Sequence, residues 1–304
     1  MTGEPKTDLY QRVTNQIIAA IEAGAGEYRM PWNPRLCGGA SVRIPHNPVG
    51  GYGYKGVNIL TLWASQQAKA HPTAEWATYR QWASAGAQVR AGEKGTMTIF
   101  FKRLDGTAER DADDQDDGAQ HRRGHFVARA AFVFNAAQVD GYEPRPAPPL
   151  PEFERHGAAE HLLRASGAVI HHGGPRACFI PSRDEIHLPP PGSFHDAEGY
   201  YTVALHELAH WTGHETRCAR DLRNRFGSEA YAAEELIAEL GAAFLCAELG
   251  ISPEPRRDHA QYIENWLKVL RNDKRAIFTA ASRASDAASY LRALSEATSE
   301  DRAA

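Results

Sequence analysis

The feature that most narrows what this chain can fold into is a five-residue string, His206-Glu207-Leu208-Ala209-His210, inside the stretch AEGYYTVALHELAHWTG. Apolar positions recur there with helical spacing, and Asp196 stands where an N-cap belongs. On a helix, positions four apart share a face, so the two imidazoles converge on one point. Such a pair suits a divalent ion that has a third protein ligand and one position open to water. Glu207 sits beside that face. It is placed to take a proton from water activated by the ion and to deliver it to a leaving amine.

The third ligand is less constrained. A histidine at position 216 would complete one zincin pattern, but Thr216 stands there. His214 lies beyond Gly213, where the helix is expected to stop. A carboxylate from a later helix is the other route, with Glu229, Glu234, Glu235 and Glu239 as candidates. Glu235 and Glu239 lie one turn apart on a long predicted helix over 231–249. The first can bind metal while the second hydrogen-bonds a ligand histidine. We rank Glu235 first, Glu239 second and Glu229 third. Tyr200, Tyr201, Tyr231, His195 and His214 are candidates to stabilise an oxyanion. The segment 182–188 is a candidate strand edge for a peptide substrate.

Composition sets the frame for this motif. The chain has 304 residues, 42% hydrophobic and 24% charged, which is globular composition with room for two domains. It holds no apolar run long enough for a membrane span, and the polar start MTGEPKTDLY has no signal-peptide core. Cys37, Cys178, Cys218 and Cys246 form no CxxC pair, which argues against a zinc ribbon or a disulfide framework. A cytoplasmic protein without a membrane partner is expected.

Residues 144–151, PRPAPPLP, are five-eighths proline and read as a stiff linker. Residues 1–143 and 152–304 are the expected domains. Within the first, residues 104–125 carry seven acids and three bases and read as a mobile surface loop. Residues 1–140 otherwise hold 13 Lys/Arg against 7 Asp/Glu, whereas residues 141–304 hold 18 against 24. A basic first half fits a polyanionic partner. Helices are expected over 9–23, 57–70, 75–85, 152–166, 198–214, 231–249, 258–270 and 274–294. Strands are expected over 126–134 and 176–188, with a strand pair over 89–101. The fold class is therefore α+β in two domains.

The first half also mixes aromatics, bases and glycines. Trp32, Tyr52, Tyr54, Lys55, Arg90, Lys94, Lys102 and Arg103 are the candidate nucleic-acid contacts, with Phe100 and Phe101 nearby. Aromatic platforms and a basic groove are how single strands are held. Trp63, Trp76 and Trp82 fit a core better. GYGYKGVN is expected to be a loop that exposes its Tyr-Lys pair.

The segments DLYQRVTNQIIAAIEAG, PW, GYGYKGVN, VRAGEKGT and FVFNAAQVDG resemble the N-terminal single-stranded-DNA-binding domain of ArdC-type antirestriction proteins. HELAHWTGHETR followed by YAAEELIAELGAAFL resembles the zincin-like metallopeptidase domain that accompanies it. The resemblance covers roughly residues 8–294, and residues 104–125 look like an insertion into it. It implies a protein that binds single-stranded DNA and protects incoming plasmid DNA from host restriction during conjugation. The same resemblance implies metal ligands at His206 and His210, a catalytic base at Glu207, and a carboxylate ligand in EELIAE, at Glu235 or Glu239. Zinc is the default ion, and manganese or another divalent ion also suits the donors. The implied enzyme is a zinc-dependent metallopeptidase, with a host restriction-modification protein as a candidate substrate. Two other readings compete: a metalloprotease with no DNA role, and a DNA-coating protein whose metal is structural.

Overall fold

The computed structural model describes residues 8–24, 43–104, 125–144, 152–222, 228–251 and 259–303. Trp32, most of the acidic stretch and all but the first residue of the proline-rich segment lie outside them.

The first half opens with α1 (Leu9–Gly24), whose Val13, Ile17 and Ile21 are fully buried along one stripe. A short hairpin of β1 (His46–Asn47) and β2 (Tyr52–Gly53) leads into α2 (Val57–Ala68). β3 (Trp76–Thr78), α3 (Tyr79–Ser84) and β4 (Gln88–Val89) follow. Two long strands, β5 (Thr96–Leu104) and β6 (His125–Asn135), pair antiparallel, and β3 joins them in the order β3-β6-β5. β7 (Val139–Asp140) pairs with β4.

Two expectations are corrected here. Residues 75–85 are a strand followed by a short helix. Trp76 to Thr78 pair with Asn135 to Val133, and Thr78 caps the helix through a reciprocal capping box with Gln81. The helix therefore starts only after the sheet contact is made. Nor do residues 89–101 form a strand pair: β4 belongs with β7 and β5 with β6. The backbone N–H of Arg90 donates to Gln138 O, so the chain is tied to the β7 side before the turn.

The second half contains α4 (Glu152–Ala165), β8 (Val169–His172), β9 (Cys178–Ile180), β10 (Glu185–Leu188), α5 (Ala197–Trp211), α6 (Glu229–Leu249), α7 (His259–Asn272) and α8 (Ala276–Ala303). The sheet order is β8-β10-β9, with β8 parallel and β9 antiparallel to β10. Segment 182–188 is thus not an edge: β10 is central, and β8 and β9 are the edge strands among the described residues.

One hydrophobic cluster runs through both halves. Trp63 of α2 packs on Phe244 of α6 with ring centroids 5.8 Å apart. Thr14 Oγ1 donates to Lys274 O at 2.7 Å, and Gly56 N donates to Ser285 Oγ at 3.0 Å. Trp82 anchors a smaller cluster with Ala77, Val89 and Val139. Among the described residues, no helix is long and apolar enough to cross a membrane.

Candidate metal centre and nucleic-acid face

α5 begins where the sequence placed it: Asp196 accepts from Gly199 N at 2.7 Å. Its far end is fastened by two arginines. Arg217 donates to Trp211 O and lies over the Trp211 ring, 3.8 Å from its centroid. Arg220 donates to Ala209 O at 2.7 Å and to Thr212 Oγ1 at 2.9 Å. These cations satisfy carbonyls that a helix C-terminus leaves open. α6 starts at Ser228, which caps Tyr231 N, and stops at Gly250 in the left-handed conformation. The two helices approach closely: a Cβ on Gly241 would stand 3.1 Å from the Cβ of Ala209.

That approach brings the α6 carboxylates onto the α5 histidines. His206 Nε2 lies 3.5 Å from Glu235 Oε2, and His210 Nε2 lies 3.6 Å from Glu235 Oε1. One carboxylate thus faces both imidazoles, and one donor atom from each of the three residues falls within a 4.8 Å group. Glu239 stands behind His206, 3.6 Å from Nδ1. Glu234 stands behind His210, whose Nδ1 donates to it at 3.1 Å. Arg220 in turn clamps Glu234 through two nitrogens at 2.9–3.3 Å. Glu229, the third-ranked ligand candidate, is exposed at the start of α6, 3.4 Å from Lys268 Nζ, and does not join the group.

The electrostatics follow from this geometry. Burial works against charging His210, but hydrogen bonds to Glu234 and Glu235 and the charge of Glu207 raise its pKa to about 10. Burial likewise works against ionised Glu235, and the two imidazoles overcome it and hold its carboxyl far below the usual range. Glu234 is lowered in the same way by His210 and Arg220. The pocket is arranged for positive charge between its carboxylates. Two nitrogens and one carboxylate fit a divalent ion, and a cation there takes the place of the imidazole protons.

The histidines, Glu207, Glu234 and Glu235 line an open cavity of about 360 Å³ with Ala177, Cys178, Phe179, Leu222, Tyr231 and Tyr262. β9 thus forms one rim. Of the five candidate oxyanion helpers, only Tyr231 is at the cavity. Burial, then hydrogen bonds to Tyr262 and Glu235, push its hydroxyl upward and keep it a neutral donor. Tyr200 faces His172 and Tyr201 donates to Glu160. His195 is exposed beside Asp196, and His214 accepts from Thr216. Sequence reading missed Arg220 and Tyr262, and it had Glu234 only as a possible third ligand. The spacing of Glu234, next to Glu235 but turned toward the other side of His210, was the available signal.

The nucleic-acid candidates divide. Tyr52 is half exposed, and Lys55 and Lys94 are exposed. Tyr54 is not: it is buried in the core, where its hydroxyl donates to Trp76 O at 3.0 Å. Alternation along a strand would put Tyr52 and Tyr54 on one face, but β2 ends at Gly53 and the pattern stops before Tyr54. Arg90 is engaged with Ala137 O and Glu93. Lys102 and Arg103 are placed by register alone, opposite Val127 and Phe126 on β6. Phe100, Phe101, Phe132 and Tyr79 are each about half exposed on the same half of the molecule. Trp63, Trp76 and Trp82 are buried, as expected.

Residues 7–134 match the family described as the N-terminal domain of anti-restriction factor ArdC, and residues 157–283 match the zincin-like metallopeptidase family. The chain also aligns along nearly its whole length with solved ArdC. The chain belongs to the ArdC antirestriction family. The metal-free crystal structure of antirestriction ArdC from plasmid R388 is 37% identical and superposes with a TM-score of 0.76 over 95% of this chain and 98% of that one. Its Mn(II)-bound structure is 38% identical with a TM-score of 0.75. An uncharacterized protein of Sinorhizobium fredii, y4eC, is 48% identical over 96% of this chain and 94% of its own length. DNA primase TraC of Escherichia coli is 42% identical over 93% of this chain, which spans only 27% of that protein. The zincin-like domain and the Mn(II)-bound ArdC point to a divalent metal in this ArdC family member.

Proposed function

We propose that this ArdC relative binds single-stranded DNA through its first half and carries a metal-dependent peptidase centre in its second. The combination protects incoming DNA from host restriction during conjugation. The observation that carries the reading is the convergence of His206, His210 and Glu235 on one point beside buried Glu207, at the floor of an open cavity. Three protein donors with an accessible fourth side are the pattern of catalytic sites, whereas structural zinc is closed by four protein ligands. Zinc is our preferred ion, with manganese the alternative.

A divalent ion held by these three residues would act as a Lewis acid toward a peptide carbonyl or water. Glu239 and Glu234 orient the two imidazoles from behind, so both Nε2 atoms face the cavity. Glu207 accepts a proton from the attacking water and passes it to the leaving amine nitrogen. Tyr231, held neutral, donates a hydrogen bond toward the oxyanion side. A peptide lies along the edge of β9, whose Cys178 and Phe179 reach the cavity. A host restriction-modification protein is the proposed substrate, brought close by the DNA that both proteins bind.

Fluorescence anisotropy of the full chain with single- and double-stranded oligonucleotides over a salt series tests the DNA half. Tight, salt-dependent binding that prefers the single strand is the expected result. Salt-insensitive binding or none would overturn it and favour a protease that acts on a protein partner alone.

A further inference from the structure

The chain builds the donor set of its helix-borne centre a second time, on a sheet. β8 runs parallel to β10 with His171 opposite His187, so the two imidazoles share one face. Glu185 lies two residues before His187 on β10 and therefore on that same face. Its Oε2 is 3.3 Å from His187 Nε2, and its Oε1 is 3.7 Å from His171 Nε2. Between the helices the corresponding separations are 3.5 and 3.6 Å. In both places the two oxygens of one carboxylate face the Nε2 atoms of two imidazoles. The ring centroids are 5.2 Å apart on the sheet and 4.8 Å apart between His206 and His210. Donor atoms from His171, Glu185 and His187 also fall within a 4.8 Å group.

We propose that His171, Glu185 and His187 form a second divalent-metal site, on the outward face of the sheet that borders the cavity. Two imidazoles and a carboxylate select a borderline first-row ion, zinc before magnesium or calcium. The scaffold beneath is firm: Ile186 and Leu188, which alternate with the ligands on β10, are fully buried against the core. His171 is exposed, while Glu185 and His187 are half-buried, so an ion enters from solvent and keeps water on its open side. Bound there, it ties β8 to β10 and steadies the strand next to β9, the rim of the cavity. The proposal does not depend on what the helix-borne centre does.

The test is calorimetric titration of chelator-stripped full-length protein with zinc(II), with thermal melting alongside. Wild type should take two zinc ions per chain, and His171→Ala/His187→Ala should take one. The variant His206→Ala/His210→Ala should keep one and gain melting temperature with zinc. Adding His171→Ala/His187→Ala to it should remove both the ion and the gain. If the helix variant does not fold, Glu185→Gln in wild type supplies the same test through the loss or marked weakening of one ion. Unchanged zinc stoichiometry and affinity in His171→Ala/His187→Ala and Glu185→Gln would overturn the sheet site. Loss of zinc only in the helix variant would also overturn it. Retention of both ions by the helix variant would instead overturn the helix-borne centre and send the second ion elsewhere.

Discussion

The candidate metal centre and the proposed nucleic-acid face are built on opposite principles. Around His206 and His210 the polar groups are largely buried, and the two imidazoles are backed: Glu239 behind one, Glu234 behind the other, and Arg220 behind Glu234. On the first half, Tyr52 on the short β2, Lys55 just after it, and Phe100 and Phe101 on β5 face solvent. A buried polar group must have partners, so its geometry is over-determined. An exposed stacking surface needs only aromatic area and positive charge, and tolerates many arrangements. The first kind of site fails when one member is removed, whereas the second weakens by degrees.

The sharpest way to break that contrast is Glu207→Gln. If Glu207 is the base, peptide cleavage should fall about 10²–10⁴-fold. Melting temperature and single-strand affinity should stay as in wild type. Protection from restriction that survives the substitution in conjugating cells would separate proteolysis from antirestriction.

Next in size is Arg220→Ala. It leaves Glu234 with only His210 and leaves the α5 carbonyl of Ala209 with only the Thr212 hydroxyl as a side-chain donor. Breaking a buried ion pair from one side costs about 3–5 kcal/mol. Urea denaturation should report that loss as a lower midpoint with an unchanged slope. An effect no larger than that of a surface substitution would show that the support behind His210 is dispensable.

The smallest effects separate the two tyrosines of GYGYKG. Tyr52→Ala should weaken single-strand binding by about 1–3 kcal/mol per base it stacks, with little change in stability. Tyr54→Phe removes a buried donor from Trp76 O and should lower stability by about 1–3 kcal/mol while leaving DNA affinity alone. Anisotropy and thermal melting of the pair check both outcomes, and the reverse pattern would exchange their assignments.

The helices were the most legible part of the fold. α1 carries a helical stripe of Val13, Ile17 and Ile21, α5 is capped by Asp196, and α6 by Ser228 and Gly250, so local chemistry marks them. Residues 75–85 misled because Trp76 and Ala77 take part in a sheet that only β6, more than 45 residues away, makes possible. The same non-local pairing drew β4 to β7 and placed β10 at the sheet centre.

By itself, the sequence determined that two imidazoles would share a helical face with a glutamate beside them, because the helical repeat fixes that at a spacing of four. It also narrowed the third donor to a few glutamates on one helix. Only the tertiary structure separates them by reach. The approach of α6 to α5 at Gly241 and Ala209 sets which carboxylate reaches both histidines and which stand behind. The pairing of β8 with β10 likewise made a cluster of His171, Glu185 and His187, residues that the chain separates by up to 16 positions. Periodicity is a property of one element, but convergence belongs to the packing of two.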